Sequence, residues 1–137
     1  MLVRFDNFTR TLLAAALADL LNAGTGPVQV RFYTVAPPAT PLTAITTQTL
    51  LGTLVCSSPA VSASGPVVTF IDIGDDPTAD ASGTAAWARV IYDDGAKALD
   101  VDVTNNAGTG AIKINTVTIE AGGPIQITSF TITVGGA

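Results

Sequence analysis

The chain contains no histidine. That one absence removes a Ser-His-Asp triad, a Cys-His pair and every imidazole metal ligand. Its single cysteine, Cys56, rules out an internal disulfide, lacks a base to activate it, and reads from Leu54-Val55-Cys56 as a buried thiol. There is one glutamate, Glu120. A carboxylate pair for glycoside cleavage would depend on it, and it falls at the edge of an expected hairpin. Catalysis is therefore not expected. Aromatic residues are only 6% of the chain, which is poor material for an exposed carbohydrate platform. Trp87, Tyr33, Tyr92 and the five Phe read instead as core or interface anchors. No apolar run reaches the ~18 residues that span a bilayer. The opening Met1-Leu2-Val3-Arg4-Phe5 lacks a signal-peptide layout, so a soluble protein made in a cytoplasm is expected.

Charge is scarce too, at 12% of residues, and the net charge is −5. Nucleic-acid binding needs clustered basic residues to neutralise phosphates, and the six here are scattered, so no nucleic-acid partner is expected. Residues 32–71 hold no Asp, Glu, Lys or Arg at all. A surface built from them would be sticky if left bare. Residues 72–102 then hold eight Asp against Arg89 and Lys97.

What is present suits one β-rich domain. The 137 residues are enough to build a core without staples. After an apolar arm (residues 1–8), one helix is expected over 7–23. Leu12, Leu13, Ala16, Leu17, Leu20 and Leu21 form its apolar face, Asn7 or Thr9 its cap, and Gly24 its end. Alternation and turn residues then predict strands at 28–33, 50–56, 66–73, 84–92, 98–103, 111–119 and 125–134. Asp93-Asp94-Gly95 and Ala121-Gly122-Gly123-Pro124 are turn signals. The proline-bearing residues 36–49 read as an extended loop. The apolar phase switches between Ile114 and Val117, and again between Ile127 and Phe130, which implies a bulge or a bent strand. The expected fold is mainly β, an antiparallel sandwich or jelly-roll-like arrangement over 27–135 with one N-terminal helix.

Few residues suggest a site. Asn-Ala-Gly-Thr-Gly occurs twice, at 22–26 and 106–110. A phosphate cradle leads into a helix and usually carries a lysine. The first copy follows a helix and the second joins strands, so both read as turns. Asp72, Asp75, Asp76 and Asp80 are the one candidate set for a cation. Their spacing departs from the twelve-residue calcium loop, and a solvated acidic loop explains them as well. Asp100 and Asp102 alternate with Leu99, Val101 and Val103 as the wet face of a strand. Leu2, Phe5 and Phe8 of the arm, with Pro37, Pro38 and Pro41 of the uncharged loop, are the candidate interface residues. No cofactor is implied.

The order "LLAAALADLLNAGTGPVQVRFYTVAPPATP", "ITTQTLLGTL", "ASGTAAWARVIYDDG" and "IEAGGPIQITSFTITV" resembles a group of small proteins encoded among the head genes of tailed bacteriophages, similar to capsid decoration or cement proteins. The resemblance covers nearly the whole chain in texture and order, and no site motif comes with it. It implies a non-enzymatic virion protein, assembled in the host cytoplasm, that sits on the outer capsid shell as dimers or trimers and bridges subunits of the major capsid protein. A tail, baseplate or fibre component, or a module that binds host glycans, is the alternative.

Overall fold

The structure, a computed structural model, describes residues 2–135. Met1 of the expected arm and residues 136–137 of the expected domain lie outside them. Helix α1 (Asn7–Leu21) leads into ten strands: β1 (Gln29–Tyr33), β2 (Leu50–Val55), β3 (Val61–Ser64), β4 (Val67–Phe70), β5 (Gly83–Thr84), β6 (Trp87–Tyr92), β7 (Lys97–Asn105), β8 (Ile112–Ile114), β9 (Thr118–Ile119) and β10 (Ile127–Thr133). Eight of the strands make one curled sheet in the order β2-β1-β6-β7-β8-β10-β4-β3, while β5 and β9 pair separately. The fold is mainly β and sandwich-like, as its alternation predicts.

The antiparallel expectation needs one correction, because β7 and β8 run parallel, with Val103 opposite Ile112 and Asn105 opposite Ile114. Parallel neighbours usually need a crossover of a dozen residues or more. Here residues 106–111 double back over the end of β7. The second Asn-Ala-Gly-Thr-Gly makes this return possible. Thr104 Oγ1 accepts from Gly110 N at 3.0 Å, and a Cβ on Gly108 would stand 2.5 Å from Thr104 Cβ. Only glycine lets the chain lie this close to the strand it has just left.

Both phase switches have structural counterparts. The expected strand 111–119 divides into β8, on the large sheet, and β9, on the small one. β10 shifts register between Ile127 and Ser129 where it pairs with β8. The expected strand 84–92 likewise divides into β5 and β6. Strand β3 escaped sequence reading, since Val61-Ser62-Ala63-Ser64 offers only one large apolar side chain; it hairpins with β4 through Gly65-Pro66.

One core runs through the curl. Val30, Phe32, Leu51, Leu54, Val68, Val90, Ile112 and Ile114 are essentially inaccessible, and Phe70 stacks on Phe130 with ring centroids 3.8 Å apart. At roughly 1.5–3 kcal/mol per fully buried large apolar side chain, this cluster is the main driving force for folding.

The helix differs most from expectation. Its cap is Asp6, not Asn7 or Thr9: the Asp6 carboxylate accepts from Thr9 N and from Thr9 Oγ1, both at 2.9 Å. Its buried residues are Ala14, Ala18 and Leu21, which rest on β3 and β4. Arg10 lies between exposed and buried, and its Nε donates to Val134 O at 2.9 Å. Of the expected apolar face only Leu21 is buried and Leu17 half-buried, while Leu12, Leu13, Ala16 and Leu20 are exposed. Apolar residues run almost all the way round this helix, so periodicity picks no face. The small alanines allow close approach to the sheet, and Leu12, Leu13 and Leu20 are left outside.

Candidate interaction surface

The large exposed apolar side chains are concentrated. Of eleven among the described residues, seven belong to the arm and α1: Leu2, Val3, Phe5, Phe8, Leu12, Leu13 and Leu20. At 100° per residue, Phe8, Leu12, Ala16, Leu20 and Leu13 share one side of the helix, opposite Ala14, Ala18 and Leu21. Phe8 keeps 73% of its surface in solvent and Leu2 76%. Leu2, Phe5 and Phe8, singled out from sequence, all lie on this surface. Val3, Leu12, Leu13 and Leu20 extend it; sequence places the three leucines on the helix's apolar face without deciding whether that face meets the sheet or a neighbour.

The uncharged loop carries a second patch. Pro37 is exposed, Pro38 and Pro41 are half-buried, and Val35 and Leu42 keep 56% and 71% of their surface in solvent. Arg89 holds this loop in place. Its Nη1 donates to Thr43 O at 2.7 Å and Nη2 to Thr40 O at 3.1 Å, while Nε and Nη2 grip Asp100 at 2.8 and 3.0 Å. The guanidinium also lies 5.3 Å from the centre of the Trp87 ring, which stacks on Tyr33. Arg89 is the one buried charged residue among those described, and the bond to Asp100 raises its pKa further above the ordinary arginine value. Asp100 is thus half-buried and paired, which corrects its reading as a wet-face residue. Asp102 is exposed and accepts from Ala111 N at 2.9 Å.

The acidic loop is held by its own carboxylates. Asp76 Oδ2 accepts from Thr53 N at 3.1 Å and Oδ1 from Thr78 N at 3.0 Å, while its backbone bridges Ile125. Asp75 accepts from Gln126 Nε2. Asp72 and Asp80 are exposed, and among the described residues no group of three or more acidic or cysteine side chains could hold a metal ion. The four candidates are thus not gathered into one group, and backbone and amide donors engage Asp75 and Asp76.

The first Asn-Ala-Gly-Thr-Gly does hold an anion, and it belongs to the chain itself. Thr25 N and Gly26 N both donate to the Asp94 carboxylate, which holds Asp94 below the usual carboxylate range. Asp93 and Asp94 both adopt positive φ in the turn between β6 and β7, as the turn signal predicts. Asn22 meanwhile accepts from Ala60 N and Val61 N and donates to Val61 O, fastening the end of α1 to β3.

A cleft of about 460 Å³ opens beside β8 and β9, with Glu120, Asn115, Thr116 and Gln126 on its walls and Ile114, Ile119 and Ile125 beneath. Glu120 is the only titratable group lining it. Cys56 is buried, and burial pushes its thiol up to about 11. No helix is long and apolar enough to cross a membrane, among the described residues. Comparison of the chain with protein-family models, with curated proteins and with solved structures gives no match.

Proposed function

We propose that this protein is a non-enzymatic structural component of a tailed-phage particle, a decoration protein that binds the outer capsid shell and bridges neighbouring subunits. The observation that carries an assembly role is the placement of large apolar side chains. Among the described residues, nine of the eleven exposed ones lie on the arm, the outer side of α1 and the uncharged loop. Exposed apolar area of this extent, beside surface nearly free of charge, suits packed interfaces, whose centres are depleted of charge. The phage assignment rests on the sequence resemblance. Asp72, Asp75, Asp80 and Asp94 are all exposed and would keep the outer face of a particle soluble. Many copies per particle would let each contact be modest.

Cryo-microscopy of the particle with copy counting tests this reading. Hundreds of copies over the capsid lattice are expected; a handful at one vertex would instead assign the chain to the tail, baseplate or a fibre. A glycan array is expected to give no binding. Deleting residues 1–5, which keeps the Asp6 cap and α1, is expected to weaken attachment to shells with little change in Tm. A deletion that abolishes folding would place the arm in the core and refute that part of the assignment.

A further inference from the structure

We infer that the outer face of α1 is a self-association surface, on which a second copy of this chain packs its own α1 antiparallel across a two-fold axis near Leu12. This deepens the reading above by assigning one of its partner surfaces, and it is tested in solution without any particle, so the two can fail separately.

Three observations point to a second copy. The first is area. Leu2, Val3, Phe5, Phe8, Leu12, Leu13 and Leu20 leave on the order of 600 Å² of apolar surface uncovered, close to the ~800 Å² that each partner contributes to a standard interface. The second is shape. Phe8, Leu12, Ala16 and Leu20 follow one another at intervals of four, a ridge of the kind that packs into the groove beside the matching ridge of another helix. Ala16 leaves the middle of that ridge low enough for close approach.

The third is charge. Arg4 precedes the helix and Asp19 lies in its last turn, both exposed. Each sits at the end of its own helix where the macrodipole disfavours it, positive beside the positive end and negative beside the negative end. The Asp6 cap already offsets the first of these, while no basic residue in the last turn offsets the second. An antiparallel second copy supplies positive charge at that uncompensated end. With Leu12 facing Leu12, the arm that carries Arg4 of each copy approaches the end of the other helix that carries Asp19, and the two helix dipoles oppose. Such a contact is isologous and closes at two copies. A parallel pairing would set Arg4 on Arg4 and Asp19 on Asp19.

Sedimentation of the full chain between about 1 and 100 µM tests the association, with a dimer expected. Leu12→Asp is expected to weaken association at least tenfold while leaving the circular dichroism spectrum unchanged. Arg4→Asp and Asp19→Arg are each expected to weaken it, and the double variant Arg4→Asp/Asp19→Arg to restore it, an outcome that general unfolding cannot produce. Leu12→Cys is expected to form a disulfide dimer with itself under mild oxidant. Phe8→Cys is expected to cross-link to Ala16→Cys in a mixture and poorly to itself. A chain that is monomeric at 100 µM would overturn the inference. So would a dimer indifferent to Leu12→Asp, or a double charge variant weaker than either single one. A monomer whose Leu12→Asp form loses shell binding would overturn it too, and would give this face to the capsid.

Discussion

Gly26 N donates to Asp94 Oδ1 at 2.6 Å, across 68 residues of chain. With Thr25 N on the same carboxylate, it ties the connection after α1 to the turn between β6 and β7. Gly24 is part of the arrangement: its φ is +88°, and a Cβ there would stand 3.0 Å from Asp94 N. Asp94→Ala is expected to lower Tm by a few degrees and Asp93→Ala by less. The pH dependence has a definite sign. These amides hold the Asp94 pKa below its unfolded value, so the stabilisation is fully present above about pH 4 and is lost as pH falls through the lower folded value. The Tm difference between wild type and Asp94→Asn is expected to be flat from pH 8 to 5 and to shrink below about pH 4. A difference that grows on acidification would count against the contact.

Arg89 is expected to be the most sensitive charged residue. Arg89→Ala leaves Asp100 without its partner and two loop carbonyls without donors. A cost of about 3 kcal/mol in urea unfolding is expected, at the lower end for breaking a buried pair. Limited proteolysis should then cut within residues 36–49 faster than in wild type. Lysine cannot reproduce the fork, so Arg89→Lys should recover less than half the loss.

Gly108→Ala probes the tight return between β7 and β8. The added methyl meets Thr104 Cβ at 2.5 Å, and roughly 1–3 kcal/mol of destabilisation is expected from overpacking. Thr104→Ala in the same chain opens that space and should recover part of it. Additive effects of the two changes would show that the clash is not the cause.

Calcium or EDTA is expected to leave Tm unchanged, since Asp75 and Asp76 are engaged by donors of the chain itself. Asp76→Ala, by contrast, is expected to destabilise by on the order of 1–2 kcal/mol through the unsatisfied Thr53 and Thr78 amides. A calcium-induced rise in Tm that Asp76→Ala abolishes would reinstate a cation site.

Cys56, with its pKa near 11, has only about one thiolate in a thousand at pH 8. Ellman's reagent is expected to react with it on the timescale of unfolding in native buffer, and within seconds in urea. Rapid reaction in the native state would place the thiol at the surface.

Much of the fold was legible one segment at a time. Val28, Val30 and Phe32 are buried as their alternation requires, and Asp93-Asp94-Gly95 turns where its residue types predict. The phase switch after Ile127 marks a real register shift. These follow from backbone sterics and the two-residue period of a strand, which act locally.

Legibility ended wherever a segment could satisfy its local preferences in two ways. In α1, leucines on one side and alanines on the other are both apolar, and only the sheet beneath decides that Ala14, Ala18 and Leu21 go in while Leu12 and Leu20 stay out. Two identical Asn-Ala-Gly-Thr-Gly segments are both turns from sequence. The fold makes one a cradle for Asp94 and the other a return against Thr104, because their neighbours come from distant parts of the chain. Composition alone removed imidazole chemistry and internal disulfides, since those need atoms the chain lacks. Which apolar surface remained bare was settled by packing, the one term that no local stretch of sequence contains.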